Sequence, residues 1–157
     1  MPCAASAMSP FVPRPIRCAT SRRVPPSNHD LILPPMNLLQ HPNESPQALR
    51  LDNTADVQAL PLEGVTLVEL HFPKFTDGRA YSQATLLRRR GYSGEVRATG
   101  DVLVDQLVQM QRCGFTSAVL RADQSLATGQ RLLSQALPAY QGDSRDQRPH
   151  FARSTAA

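Results

Sequence analysis

Apolar positions recur with two different periods between Gln47 and Tyr140, and they divide that stretch into alternating strands and helices. Val65–Phe72 has the strongest strand character. Val65, Leu67, Val68, Leu70 and Phe72 make a near-continuous apolar run, which suits a parallel strand covered on both faces. Shorter runs at Ala48–Leu51, Glu95–Ala98 and Phe115–Leu120 predict three more strands. Between these runs the period lengthens to that of a helix. Asp52-Asn53-Thr54 offers caps for a short helix to Leu60, ended by Pro61 and Gly64. Ala80, Ala84 and Leu87 share one face of a helix over 79–90, started by Thr76 or Asp77. Leu103, Leu107 and Met110 do the same over 102–112, after the turn Thr99-Gly100-Asp101 and before Gly114. Leu126, Leu133 and Leu137 mark a last helix over 125–137, stopped by Pro138. The order is β-α-β-α-β-α-β-α, and each helix is long enough for a right-handed crossover. An α/β fold follows, with a small, mostly parallel sheet of about four strands and covering helices, either open or barrel-like.

Composition changes the picture mainly outside this stretch. Eight of the 14 prolines lie in residues 1–35, so that leader is expected to be disordered or, if Met36 is the true start, untranslated. Residues 36–46, with Pro42 and Pro46, read as a linker, 47–140 as a single α/β domain and 141–157 as a flexible tail. The leader carries net +3 and residues 36–157 only +1, so the excess positive charge belongs mostly to the leader. Nucleic-acid binding, which needs a basic face on a folded domain, is not expected. No apolar run approaches the roughly 18–20 residues of a membrane span, and the leader has no uninterrupted apolar segment of the secretory kind. The leader is Arg- and Ser-bearing and acid-poor like a transit peptide, but its prolines would spoil an amphipathic helix, and a reducing compartment is the default reading. Cys3, Cys18 and Cys113 form no CxxC and no Cys/His pair of metal spacing, so neither a metal nor a disulfide framework is indicated. There is no GxGxxG and no Walker loop, and no cofactor is expected.

Candidate chemistry gathers where two strands hand over to helices. The loops 72–79 and 99–101 leave the carboxyl ends of neighbouring predicted strands and should open on one edge of the sheet, where α/β proteins place ligand sites. They supply Lys74, Asp77, Arg79, Thr99 and Asp101, together with the free N–H groups of two helix N-termini, a setting suited to a small oxyanion. Capping is the competing role for Asp77 and Asp101. Asp101 and Asp105 are four apart on one helix face, and Gln106 can orient a substrate or join two elements. The run Arg88–Arg90 reads as solvated charge that offsets the helix dipole, or as a docking patch. Arg97 lies mid-strand and, if inward, must pair with Asp77, Glu95 or Asp101. Cys113 reads as packed and inert, and His71 as a satisfied residue at a strand end.

The run Phe72-Pro-Lys-Phe-Thr-Asp-Gly-Arg-Ala-Tyr-Ser-Gln-Ala84 is highly distinctive. With Gly94-Glu-Val-Arg-Ala-Thr-Gly-Asp101, Asp105-Gln106 and Arg112-Cys-Gly-Phe115 it resembles an uncharacterised bacterial family of small proteins. These are encoded beside the sulfite reductase haemoprotein and other assimilatory sulfate-reduction genes, and are labelled oxidoreductases of sulfite reduction or simply a domain of unknown function. The resemblance is strong over Leu51–Phe115 and looser to Tyr140-Gln141. It implies a cytoplasmic accessory protein of sulfite reduction that binds the reductase or its electron donor. The family's motif residues fall here on Lys74, Asp77, Arg79, Tyr81, Ser82, Arg97, Asp101, Asp105 and Gln106. No flavin, nicotinamide or cluster motif accompanies them. The alternative is a small oxyanion-binding enzyme that works through the loops 72–79 and 99–101.

Overall fold

The computed structural model describes residues 33–41, 46–137, 140–149 and 151, so the expected leader falls outside the described residues up to 32. The strands are β1 (Asn37–Leu39), β2 (Leu49–Leu51), β3 (Leu67–Phe72), β4 (Glu95–Gly100) and β5 (Ser117–Val119). The helices are α1 (Arg79–Arg89), α2 (Leu107–Cys113) and α3 (Leu126–Ser134). All strand pairings are parallel, in the order β1-β5-β4-β3-β2. From β2 to β5 the chain moves one strand at a time in one direction. Right-handed crossovers of that kind put every helix on the same face, as in a segment of a barrel. The sheet nonetheless keeps two edges, β1 and β2.

Alternation along the strands sorts the two faces. Val68, Leu70 and Phe72 of β3, Val96 and Ala98 of β4 and Ala118 of β5 join Ala80, Ala84, Leu87, Leu107 and Met110 in one core. Each large side chain fully buried there contributes about 1.5–3 kcal/mol. Helix α1 packs on β3 and α2, α2 on α3, and α3 on β1. The last contact is close: a Cβ at Gly129 would lie 2.8 Å from Leu38 and 2.9 Å from Leu107.

The other face of β3 is also buried, as expected of a strand covered on both sides, with only His71 exposed, but its middle is polar rather than apolar. Register aligns Arg50, Glu69, Arg97, Ser117 and Asn37 in one row across all five strands. Arg50 Nε donates to Glu69 at 3.0 Å and Arg97 Nη1 to the same carboxylate at 3.2 Å. Arg97 Nη2 donates to Glu95 at 2.9 Å, and Ser117 Oγ to Glu95 at 2.5 Å. Glu69 and Arg97 are each only 5% exposed. The apolar run that defines β3 therefore carries a buried charge at its middle, compensated by pairing instead of by solvent.

Four further differences have local causes. The sheet has a fifth strand, Asn37–Leu39, inside the segment read as a linker; three residues are too few to show a period, and the strand exists by adding to the edge of β5. The helix expected before Leu60 is a single 3₁₀ turn, Val57–Ala59, capped by Asp56. The helix expected from Val102 starts as a 3₁₀ turn at Val104 and becomes α-helical at Leu107, because Asp101 bonds across to another loop instead of capping. Of the Arg88–Arg90 run, Arg89 and Arg90 are exposed as expected but Arg88 is not solvated. Arg88 is 1% exposed, and its guanidinium donates to the carbonyls of Gly114 (2.9 Å), Tyr92 (2.6 Å) and Gly94 (2.9 Å). Arg90 donates to the carbonyls of Val57 and Leu60. Gly114 makes room for Arg88: it sits at φ +101°, and a Cβ there would lie 2.6 Å from Arg88 Cγ.

Candidate functional site at the carboxyl edge of the sheet

Register brings the two predicted loops together. Phe72 pairs with Gly100, so the segments after β3 and β4 leave the sheet at the same height. Gly100 allows this close approach, with φ +96° and a would-be Cβ 2.3 Å from Phe72 O and 2.8 Å from the His71 ring. The Asp101 N–H then donates to Phe72 O at 2.9 Å.

The loop 73–78 is held from several sides, and Phe75 is at its centre. The Phe75 N–H donates to the Asp101 carboxylate at 3.0 Å, and Gln106 Nε2 donates to Phe75 O at 2.6 Å. Gln106 Oε1 accepts the Leu103 N–H at 3.2 Å, so one amide side chain ties two loops. The Asp77 N–H donates to Lys74 O at 3.0 Å. The Asp77 carboxylate accepts the Arg79 N–H at 3.0 Å and the side-chain amide of Asn53. Those bonds, the Arg79 N–H first, hold Asp77 below its ordinary pKa. A third loop joins from β5: Arg121 donates to Asp101 at 2.8 Å and, through Nε and Nη2, to both oxygens of Asp123. The pair lowers Asp123 to about 2, and the same bonds raise Arg121.

The sequence-predicted residues thus divide. Lys74, Asp77, Arg79, Thr99, Asp101, Asp105 and Gln106 lie at this edge. Lys74, Arg79 and Asp105 are exposed, and Thr99 Oγ1 makes a long contact to Leu70 O at 3.4 Å. Tyr81 is half-buried against Phe72 (5.3 Å between ring centroids) and Phe115 (6.3 Å), and burial pushes its phenol up to about 12. Ser82 is exposed along α1. Arg97 belongs to the opposite sheet face; of its expected partners it meets Glu95, and its second partner, Glu69, lies in the neighbouring strand. Cys113 is half-buried and its thiol is raised by that burial, which suits a packed cysteine. Sequence reasoning passed over Phe75, Asn53, Arg121 and Asp123. The signal for Arg121 was available, since it directly follows a predicted strand and so belongs to the same edge.

The family model described as bacterial protein of unknown function (DUF934) matches residues 48–151. The chain belongs to this family. The match covers the four strands β2 to β5, all three helices and the strand-end loops; it begins just before β2 and leaves β1 outside. No curated protein and no solved structure matches the chain.

In this DUF934 protein, clefts of about 790, 410 and 370 Å³ open at the amino edge, beside residues such as Thr66, Ser93, Gly94 and Glu95, away from the strand-end loops. Among the described residues no group of three or more His, Cys, Asp or Glu is placed to hold a metal ion, and no helix is long and apolar enough to cross a membrane.

Proposed function

We propose that this protein is a cytoplasmic accessory of assimilatory sulfite reduction that acts by binding the reductase or its electron donor through the carboxyl edge of the sheet. The link to sulfite reduction comes from the resemblance of the run Phe72–Ala84. One observation favours binding over chemistry at this edge: the polar groups that converge there hold the loops together. Asp77 and Asp101 take the N–H groups of Arg79 and Phe75, the donors an oxyanion would need. Gln106 likewise bridges Phe75 and Leu103. A loop fixed in one conformation suits recognition of a partner, because little freedom is lost on binding.

The test is genetic and biochemical. A deletion strain should grow normally on cysteine and poorly on sulfate, and the tagged protein from sulfate-grown cells should retain the reductase or its donor. Equal growth on both sulfur sources, with neither protein retained, would exclude this reading. A protein that retains neither but is thermally stabilised by sulfite or another small anion would support the oxyanion-binding enzyme instead.

A further inference from the structure

We propose that the cleft beside Glu95, at the start of β4, binds a ligand that carries a primary ammonium group on a short apolar stem. The site lies at the amino edge of the sheet and is independent of the binding role given to the carboxyl edge. Glu95 lines both of the smaller clefts there, of about 410 and 370 Å³. Among the described residues it is the one charged side chain that lines either of them. Arg97 Nε (3.1 Å), Arg97 Nη2 (2.9 Å) and Ser117 Oγ (2.5 Å) all donate to the same oxygen, Glu95 Oε1. Among the described residues no donor reaches Oε2, and the side chain is 39% exposed. One oxygen therefore fixes the carboxylate to the sheet, and the other keeps its lone pairs for a ligand.

The chemistry of the lining selects the ligand. Arg97 divides its guanidinium between Glu95 and Glu69, is 5% exposed and lines neither cleft, so the charge a ligand meets is that of Glu95. A guanidinium fork needs both oxygens of a carboxylate, and one is taken. A divalent cation of the calcium type needs several oxygen ligands, and no group of three or more acids, His or Cys is placed for one among the described residues. An ammonium carries three donors on one point charge. The 410 Å³ cleft offers Glu95 Oε2 together with the side chains of Ser93 and Asn37, which are exposed and make no hydrogen bond among the described residues. Pro34, Pro35 and Met36 supply an apolar wall for the stem. These walls are fixed before any ligand arrives. The Glu95 N–H donates to Thr66 O at 2.9 Å and the Asn37 N–H to Thr116 O at 2.8 Å. Arg88 holds the carbonyls of Tyr92 and Gly94, on either side of Ser93. Gly94 permits the packing, since a Cβ there would lie 2.4 Å from Tyr92 Oη and 2.8 Å from Thr66 O. A site built on strand ends in this way loses little freedom on binding.

The test is an NMR titration of the full isotope-labelled chain, at neutral pH in an amine-free buffer. The probes are n-butylamine, its uncharged counterpart butan-1-ol, its anionic counterpart butyrate, and Nα-acetyl-lysine amide. Butylamine should shift the amides of Ser93, Glu95 and Ser117 saturably and leave that of Phe75 unmoved, while butan-1-ol and butyrate give no saturable shift. Glu95→Gln keeps the shape and removes the charge, and should weaken the butylamine Kd by about tenfold or more in a protein that melts cooperatively. If Glu95→Gln does not fold, Ser93→Leu serves in its place; it fills the cleft from an exposed position and should abolish the response. Tighter binding of the lysine derivative than of butylamine would assign the ammonium to a lysine side chain of another protein, and the reverse order to a free amine; the site stands in both cases. A response to butan-1-ol equal to that of butylamine, no saturable shift with any amine, shifts centred on Phe75, or an affinity indifferent to the variant would each overturn the site.

Discussion

Arg88 shows how one side chain can organise an edge of the sheet. Its guanidinium collects the carbonyls of Tyr92, Gly94 and Gly114, which lie just before β4 and β5, and its ring neighbour Tyr92 is 5.7 Å away. Burial lowers its pKa to about 10, still well above neutrality, so it is charged at pH 7. Arg88→Met would leave those carbonyls without their donor, and we expect a loss of about 3–5 kcal/mol in urea unfolding, since each buried acceptor left bare costs about 1–3 kcal/mol. Arg88→Lys should recover only part of this, because an ammonium cannot reproduce the fork. Asp101 plays a smaller, local part at the opposite edge. Asp101→Ala should free the Phe75 amide and raise its hydrogen-exchange rate, at about 1–2 kcal/mol in stability. Tyr81 gives a pH signature. Its phenol titrates near 12 in the folded protein and near 10 unfolded, so between those values the folded state binds more protons and stability falls as pH rises. Tyr81→Phe should flatten the fall in melting temperature above pH 10 and leave values at neutral pH little changed.

Strands β3 and β4 carry two structures back to back. One face is the apolar layer against the helices, and the other is the row Arg50–Glu69–Arg97 with Glu95 and Ser117. The row is balanced in charge, and its members satisfy one another across three neighbouring strands and β5. Removing Arg97 alone would leave the buried Glu69 with only Arg50, an exposed side chain, as its partner, so Arg97→Met should cost about 3 kcal/mol in denaturant unfolding. The double variant Arg97→Met/Glu69→Leu should be more stable than the single one, because the buried carboxylate that lost its buried partner is then gone and Arg50 is free to stay in solvent. A double variant no better than the single one would show that the row matters through shape rather than charge.

At the scale of the whole molecule, the chain steps in one direction from β2 to β5, and the segment 140–149 meets the residues just before β1. Arg145 donates to Leu33 O at 3.1 Å, just before β1, and the Ser144 N–H donates to Arg112 O at 3.0 Å at the end of α2. Shortening the chain to end at residue 139 removes both bonds. The expected result is a lower melting temperature and faster hydrogen exchange in β1, with β3 and β4 protected as before. Equal exchange in β1 with and without the segment would show that β5 alone secures the edge. Much of this architecture was legible in residue order. Period and crossover length are local properties, and the hand of a crossover follows from chain twist. Residues 47–137 alone therefore imply parallel strands, helices between them and the meeting of loops 72–79 and 99–101 at one edge. Folding itself settled which groups answer one another. Arg88 reaches Gly114 over 26 residues, Arg97 reaches Glu69 over 28, Asp101 reaches Phe75 over 26 and Gln106 reaches Phe75 over 31. Pairings at such separation leave no trace in a local period. That is why an arginine read as solvated is buried, why one sheet face is ionic, and why residues chosen as a possible site hold the backbone of a neighbouring loop in place.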